Sequence, residues 1–243
     1  MSGQTLILDG QPIPFDEGET VMEAALAAGV YIPHLCYRPG YGHHGSCKVC
    51  TVAVDGHNAA SCTMPARKGM VVETNTADLA DMRRALVEML FVEGNHTCPA
   101  CEKSGECELQ AVAHHVGMVA PRFDFFFPAR DLDASHPDIL LDRNRCILCE
   151  LCVRASRDVD KKNVFAIGGR GLRARLIVNA PSGRLGDTTL SKDDAAVRVC
   201  PVGAILLKGK AYHASPGRRI FDVRPISEVA LEEAYRVKEK GRG

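Results

Sequence analysis

The segment Arg145-Cys146-Ile147-Leu148-Cys149-Glu150-Leu151-Cys152, together with Cys200-Pro201 downstream, decides how this chain is read. Three cysteines, each two residues from the next, cannot all close on one tetrahedral ion without strain. Each can reach a different corner of a cuboidal iron–sulfur cluster, and a remote Cys-Pro supplies the fourth corner in such sites. A zinc ribbon uses two separated C-x2-C knuckles instead. The spacing therefore predicts a [4Fe–4S] site on Cys146, Cys149, Cys152 and Cys200, with a zinc scaffold protein as the competing reading.

The composition leaves room for this chemistry and excludes others. At 243 residues the chain can hold one to three domains. Hydrophobic residues at 46% and charged residues at 25% are ordinary for a globular protein. Lys+Arg and Asp+Glu both number 30, so no net field favours nucleic acid or an acidic membrane. The N-terminus lacks the basic and apolar regions of a cleaved signal. No apolar run approaches the roughly 20 residues of a membrane span. A cytoplasmic protein is expected.

Eleven cysteines in a reducing compartment do not suggest disulfides, and an odd number cannot all pair. They fall into three groups: Cys36, Cys47, Cys50 and Cys62; Cys98, Cys101 and Cys107; Cys146, Cys149, Cys152 and Cys200. The middle group lacks one ligand.

Around the first group, residues 4–8 read as a strand, Asp9-Gly10 as a turn and Ile13-Pro14-Phe15 as an edge strand. Thr20 and Glu23 form a capping box for a helix over about 21–28, ended by Gly29. Strands at 51–56 and 70–74 follow, and together these elements suggest a β-grasp. The spacing Cys36-x10-Cys47-x2-Cys50-x11-Cys62 resembles the [2Fe–2S] domain at the start of the large iron–sulfur subunit of respiratory complex I and its hydrogenase relatives. Gly40-Tyr41-Gly42-His43-His44-Gly45 matches G-x-G-x-x-G but follows no long strand and opens no helix, so it is not a dinucleotide fingerprint. His43 and His44 read as solvated loop residues.

Thr76 is positioned to cap a helix to about 92, with Leu79, Met82, Leu86 and Leu90 as its core stripe. Next comes Gly94-Asn95-His96-Thr97-Cys98-Pro99-Ala100-Cys101, then Cys107-Glu108-Leu109-Gln110. Cys-x2-Cys-x5-Cys before Glu-Leu-Gln resembles a helical [4Fe–4S] domain with one histidine and three cysteine ligands, found in the same enzyme group. Many members place the histidine four residues before the first cysteine, where this chain has Gly94. His96 stands two before, which looks like the NAD-reducing hydrogenase branch. The resemblance implies His96, Cys98, Cys101 and Cys107 as ligands, with His114 and His115 as competing imidazoles.

Phe123-Asp124-Phe125-Phe126-Phe127-Pro128 reads either as an exposed partner-binding patch or as packing between domains. Beyond it, the opening motif resembles a two-cluster ferredoxin that keeps one cluster. The place of its next cysteine is Ser156. Counting back from Cys200, the other ligands of the second cluster would fall at Ala196, Asp193 and Leu190. Residues 164–167 and 176–178 read as inserted strands, and 193–199 as the helix before Cys200. After 210 a short strand over 220–224 and a charged helix over about 228–240 are expected. Leu231 and Tyr235 make that helix either a docking element or a cap on the ferredoxin-like domain.

The expected fold is thus α+β. It runs as a β-grasp [2Fe–2S] domain over 1–76, a histidine-plus-three-cysteine [4Fe–4S] domain over 77–120, a ferredoxin-like [4Fe–4S] domain over 121–210 and a tail over 211–243. The three motifs in this order resemble the iron–sulfur module of complex I and of iron-only hydrogenase. The 243 residues leave no room for a molybdopterin-like or hydrogen-activating domain. The length and the Gly-Asn-His-x-Cys variant look most like the small iron–sulfur subunit in the diaphorase half of NAD-reducing bidirectional [NiFe] hydrogenase.

That resemblance implies an electron-transfer subunit with no catalytic centre of its own. It would carry one [2Fe–2S] and two [4Fe–4S] clusters. FMN would sit in a flavoprotein NAD(H)-binding partner and the Ni–Fe centre in hydrogenase small and large subunits. The same relay in an NAD-dependent formate dehydrogenase or a complex I-type enzyme stays open.

Overall fold

The structure, a computed structural model, describes residues 4–240. The chain divides into two compact units. One comprises Met1–Glu88, Val112–Ala120 and Arg224–Gly243; the other comprises Met89–Ala111 and Pro121–Val223. The four consecutive segments expected from the sequence follow the cluster motifs, whereas packing shares residues 77–120 between both units.

In the first unit, Gln4–Leu8 (β1) and Gln11–Phe15 (β2) form an antiparallel hairpin with Leu6 opposite Ile13. Asp9 and Gly10 both take positive φ, 47° and 80°, as a tight hairpin turn between twisted strands requires. Val21–Ala27 (α1) starts at the expected capping box. The Thr20 hydroxyl accepts from the Glu23 N–H at 3.3 Å, and a Glu23 carboxylate oxygen accepts from the Thr20 N–H at 2.8 Å. Thr51–Val54 (β3), His57–Ala60 (β4) and Val71–Glu73 (β5) complete a five-stranded sheet of order β2-β1-β5-β3-β4, with β1 parallel to β5. Leu6, Leu8, Met22, Ile32, Val52 and Val72 build its core.

Ala77–Val92 (α2) begins at the expected Thr76 cap, whose hydroxyl accepts from the Leu79 N–H at 3.3 Å. Its buried line is not the expected one. Leu79, Arg83 and Val87 are buried, while Met82, Leu86 and Leu90 are only half-buried. An arginine takes the core position because its guanidinium donates to the Thr51 carbonyl at 2.7 Å.

In the second unit, Glu108–His115 (α3) contributes its first residues. Leu132–Asp133 (β6), Ile139–Asp142 (β7) and, far along the chain, Ile205–Leu207 (β10) form an antiparallel sheet of order β10-β7-β6. Phe165–Gly168 (β8) and Arg175–Val178 (β9) make the inserted hairpin. Leu151–Arg154 (α4) runs into one wider turn over Ala155–Val159, and Ala195–Arg198 (α5) precedes Cys200. Fully buried Phe165, Ile139, Leu141 and Leu151 centre this core.

The strand expected over 220–224 does not form. Ile220–Val223 is a helical turn (α6), not a strand. The Asp222 carboxylate accepts from the N–H groups of Gly217 and Arg219, at 2.7 and 3.2 Å, which winds the segment locally. Ile226–Lys240 (α7) belongs to the first unit. Its Leu231 and Ala234 pack on the core of the first unit, with Arg38–Glu233 and Lys238–Glu19 ion pairs at 2.9 Å. The Phe123–Phe127 side chains are exposed, Phe127 by 76%.

Candidate functional site

The structure brings the cysteines of each group together, and no disulfide forms among the described residues. In the first unit, the loop after α1 carries Cys36, Cys47 and Cys50, and Cys62 follows β4. The Cys50 and Cys62 sulfurs are 3.4 Å apart, and the Cys47 N–H points at the Cys36 sulfur at 3.5 Å. Lys48 takes a left-handed φ of 55°, turning the chain tightly between Cys47 and Cys50. Close packing couples the thiols. Hydrogen bonds from the Cys47 and Cys62 thiols hold Cys36 far below the usual thiol range. Cys47 and Cys62 are pushed up by donating to a neighbouring sulfur and by burial. A hydrogen bond from the Cys62 thiol lowers Cys50 as well, to about 7, so two of the four thiols are shifted towards the thiolate and two away from it. The G-x-G-x-x-G loop opens no helix, and His43 pairs with Glu23 at 3.1 Å, not with a thiol.

In the second unit two separate voids occur. One, with about 340 Å³ of empty space, is lined by Cys146, Cys149, Cys152 and Cys200 together with Ile167 and Ile205. Leu148 and Glu150 take φ of 52° and 58°, placing a left-handed residue between each successive pair of cysteines. Such a conformation costs about 1 kcal/mol per non-glycine residue and persists where surroundings demand it. Of the four positions where a two-cluster ferredoxin would hold its second cluster, three are closed and Asp193 is exposed. Ser156 and Ala196 are fully buried, Leu190 nearly so, and the Ser156 hydroxyl accepts from the Val164 N–H at 2.8 Å.

The other void, with about 320 Å³ of empty space, is lined by His96, Cys98, Cys101 and Cys107 with Phe91, Leu109 and Arg145. His114 and His115 do not reach it. His115 stands edge-on to Tyr31, ring centroids 5.0 Å apart. His96 Nε2 is buried without a hydrogen-bond partner. Burial, then the Arg130 and Arg145 charges, push this imidazole down to about 4, so it is neutral and its lone pair is available. A Cβ placed on Gly94 would lie 2.5 Å from His96 Nε2. The ring therefore fills the space a side chain at position 94 would enter.

The donor chemistry fits iron–sulfur cores. Burial pushes Cys107 up to about 12 and Cys146 up to about 11, and raises Cys98, Cys152 and Cys200 as well. Such thiols ionise only against bound metal. Among the described residues, no group of three or more His, Cys, Asp or Glu side chains closes around a point as a single-ion site would. Two arginines tie the site together. Arg145 lines the His96 void, ion-paired to Glu102 and, at 3.0 Å, to Asp142. Arg130 donates to the Glu93 and Cys146 carbonyls at 3.0 and 3.3 Å, joining the two cysteine loops. Neither arginine stands out in the sequence, because nothing in its spacing distinguishes it from a surface charge.

Comparison with known proteins agrees with this arrangement. Residues 5–77 match the 2Fe-2S iron-sulfur cluster binding domain family. Residues 83–122 match the NADH-ubiquinone oxidoreductase-G iron-sulfur binding region, and 139–207 the 4Fe-4S single cluster domain. The chain is 32% identical over 215 residues to the mitochondrial NADH-ubiquinone oxidoreductase 78 kDa subunit of Candida albicans, covering 86% of this chain and 29% of that one. A chain in the crystal structure of an H2-reduced NAD+-reducing [NiFe]-hydrogenase superposes with a TM-score of 0.92 at 53% identity, covering 95% of this chain and 98% of that one. The gamma subunit of the NAD-reducing hydrogenase HoxS of Cupriavidus necator is 43% identical over 228 residues, 93% of this chain and 97% of that one. With identity sustained along nearly the whole of both chains, this iron–sulfur protein belongs to the family of NAD-reducing hydrogenase gamma subunits.

Proposed function

We propose that the chain is the electron-relay subunit of a cytoplasmic NAD-reducing [NiFe] hydrogenase. It connects a flavoprotein that exchanges hydride between FMN and NAD(H) with the hydrogenase small and large subunits and their Ni–Fe centre. Cys36, Cys47, Cys50 and Cys62 hold one [2Fe–2S] cluster. His96, Cys98, Cys101 and Cys107 hold one [4Fe–4S] cluster, and Cys146, Cys149, Cys152 and Cys200 hold another. The sheet order β2-β1-β5-β3-β4 with its single α1 supports a β-grasp for the first site. The closed positions at Ser156, Leu190 and Ala196 support a ferredoxin-like segment with one cluster.

Bound there, the clusters would take up and release single electrons. The protein's part is to hold and tune them. Apolar walls such as Phe91, Leu109, Ile167 and Ile205 exclude water. The Cys47 N–H directed at the Cys36 sulfur stabilises negative charge there. Arg145 lines the His96 site and is held there by Glu102 and Asp142, which fixes the wall of the site. No helix among the described residues is long and apolar enough to cross a membrane.

The observation that carries this reading is the grouping of the candidate ligands into three sites, each of the donor type its motif requires. Anaerobic purification with the native partners, metal and acid-labile sulfide analysis, and NADH- or H2-linked dye reduction test it. Iron, sulfide and co-purifying nickel are expected. A colourless zinc protein without sulfide, or molybdenum or tungsten in place of nickel, overturns it.

A further inference from the structure

Arg83 is a buried charge with no part in ligating the clusters. It is 5% exposed on α2. One guanidinium nitrogen donates to the Thr51 carbonyl at 2.7 Å, and its Nε is buried with no hydrogen-bond partner. Among the described residues it forms no ion pair. Asp9 acts on it electrostatically, but Asp9 is exposed and its two oxygens accept from the Thr74 N–H and hydroxyl at 2.6 and 2.5 Å. An uncompensated buried ion costs several kcal/mol. The chain keeps one next to Thr51, the residue that directly follows fully buried Cys50.

We propose that Arg83 is a positioning residue whose guanidinium is the buried counter-charge of the [2Fe–2S] site and raises its reduction potential. The inference rests on reading Cys36, Cys47, Cys50 and Cys62 as ligands of that cluster. Four thiolates make the site anionic, and uptake of an electron makes it more so. A fixed cation in this low-dielectric core stabilises the reduced form more than the oxidised one. The cluster in turn supplies the anion that Arg83 otherwise lacks. Burial lowers the arginine's proton affinity while Cys50 raises it, which agrees with this pairing.

Redox titration followed by EPR on the complete, anaerobically purified enzyme tests the inference. R83Q and R83M are expected to lower the [2Fe–2S] potential by tenfold or more in the reduction equilibrium, about 59 mV per tenfold for one electron. R83K is expected to stay within that tenfold, and the two [4Fe–4S] potentials should not move. An unchanged [2Fe–2S] potential in R83Q and R83M overturns the inference. Should both neutral variants lose the cluster, R83K decides. A near-native potential in R83K then supports a requirement for charge, and a fall of tenfold or more overturns it. A native enzyme with no [2Fe–2S] signal would instead overturn the ligand reading, and the inference with it.

Discussion

His96 Nε2 lies 2.5 Å from the point where a Cβ on Gly94 would stand. The imidazole thus folds back into the space of the residue two positions earlier, and Gly94 is the residue that leaves this space empty. Any side chain at 94 must displace the ring or the Asn144 carbonyl, which would be 3.0 Å away. We expect Gly94→Ala to lose much of the cluster at Cys98, Cys101 and Cys107, and His96→Ala to do the same. The double variant Gly94→His with His96→Ala should recover it by moving the imidazole to position 94. Iron content and the reduced-state EPR signal of the purified enzyme check all three. Failure of the double variant alongside full cluster in Gly94→Ala would mean that the ring's place does not matter.

A second expectation concerns charge at His96, the proposed ligand. His96 is neutral, and a thiolate in its place adds a negative charge to the site. His96→Cys should therefore make reduction harder, lowering the potential of that cluster by about 59 mV or more, a tenfold change for one electron. The other [4Fe–4S] cluster should shift less. A redox titration of the variant with an unmoved signal would show that His96 does not bind iron.

The cysteine groups, the capping box at Thr20 and the hairpin at Asp9-Gly10 are legible in the sequence because each depends on local spacing or local chain geometry. Arg83 is not. On a helix whose apolar residues are also spaced three or four apart, a stripe through Met82 reads as well as one through Val87. Only the Thr51 carbonyl, 32 residues away, decides between them. Ile220–Val223 misleads in the other direction. Its β-branched ends suggest a strand, but among the described residues no strand pairs with it, and Asp222 binds its own turn. The packing of Leu231 on the first unit is equally invisible, since an apolar stripe states that a helix is covered but not by what.

Ser156, at the position of a ligand cysteine in a two-cluster ferredoxin, has a structural partner instead. Its fully buried hydroxyl accepts from the Val164 N–H, and its carbonyl accepts from the Lys162 and Asn163 N–H groups at 2.9 and 3.1 Å. Ser156→Ala strands the Val164 N–H and should cost about 1–3 kcal/mol in denaturant or thermal unfolding, the usual penalty for an unsatisfied buried donor. Ser156→Cys should bind no additional iron, because positions 190, 193 and 196 hold Leu, Asp and Ala. Extra iron in that variant would mean that this part of the fold still accepts a cluster.

The last expectation concerns the contact between the segment after Cys200 and the loop of the other [4Fe–4S] site. A Cβ added at Gly203 would sit 3.1 Å from the Cys101 sulfur and 3.2 Å from both Cδ and Nη1 of Arg145. Neither neighbour yields easily. Cys101 is fixed once it binds iron, and Arg145 is held by Glu102 and Asp142. Gly203→Ala needs shifts of a few tenths of an ångström, whereas Gly203→Val cannot be accommodated without moving one of the two. Overpacking of this kind costs about 1–3 kcal/mol. Here part of that cost should fall on cluster retention. We expect Gly203→Ala to keep both [4Fe–4S] clusters with an altered EPR signal for the His96 site, and Gly203→Val to lose that cluster while keeping the one on Cys146, Cys149, Cys152 and Cys200. If Gly203→Val keeps both signals unaltered, the two loops do not pack as tightly in solution as this contact requires.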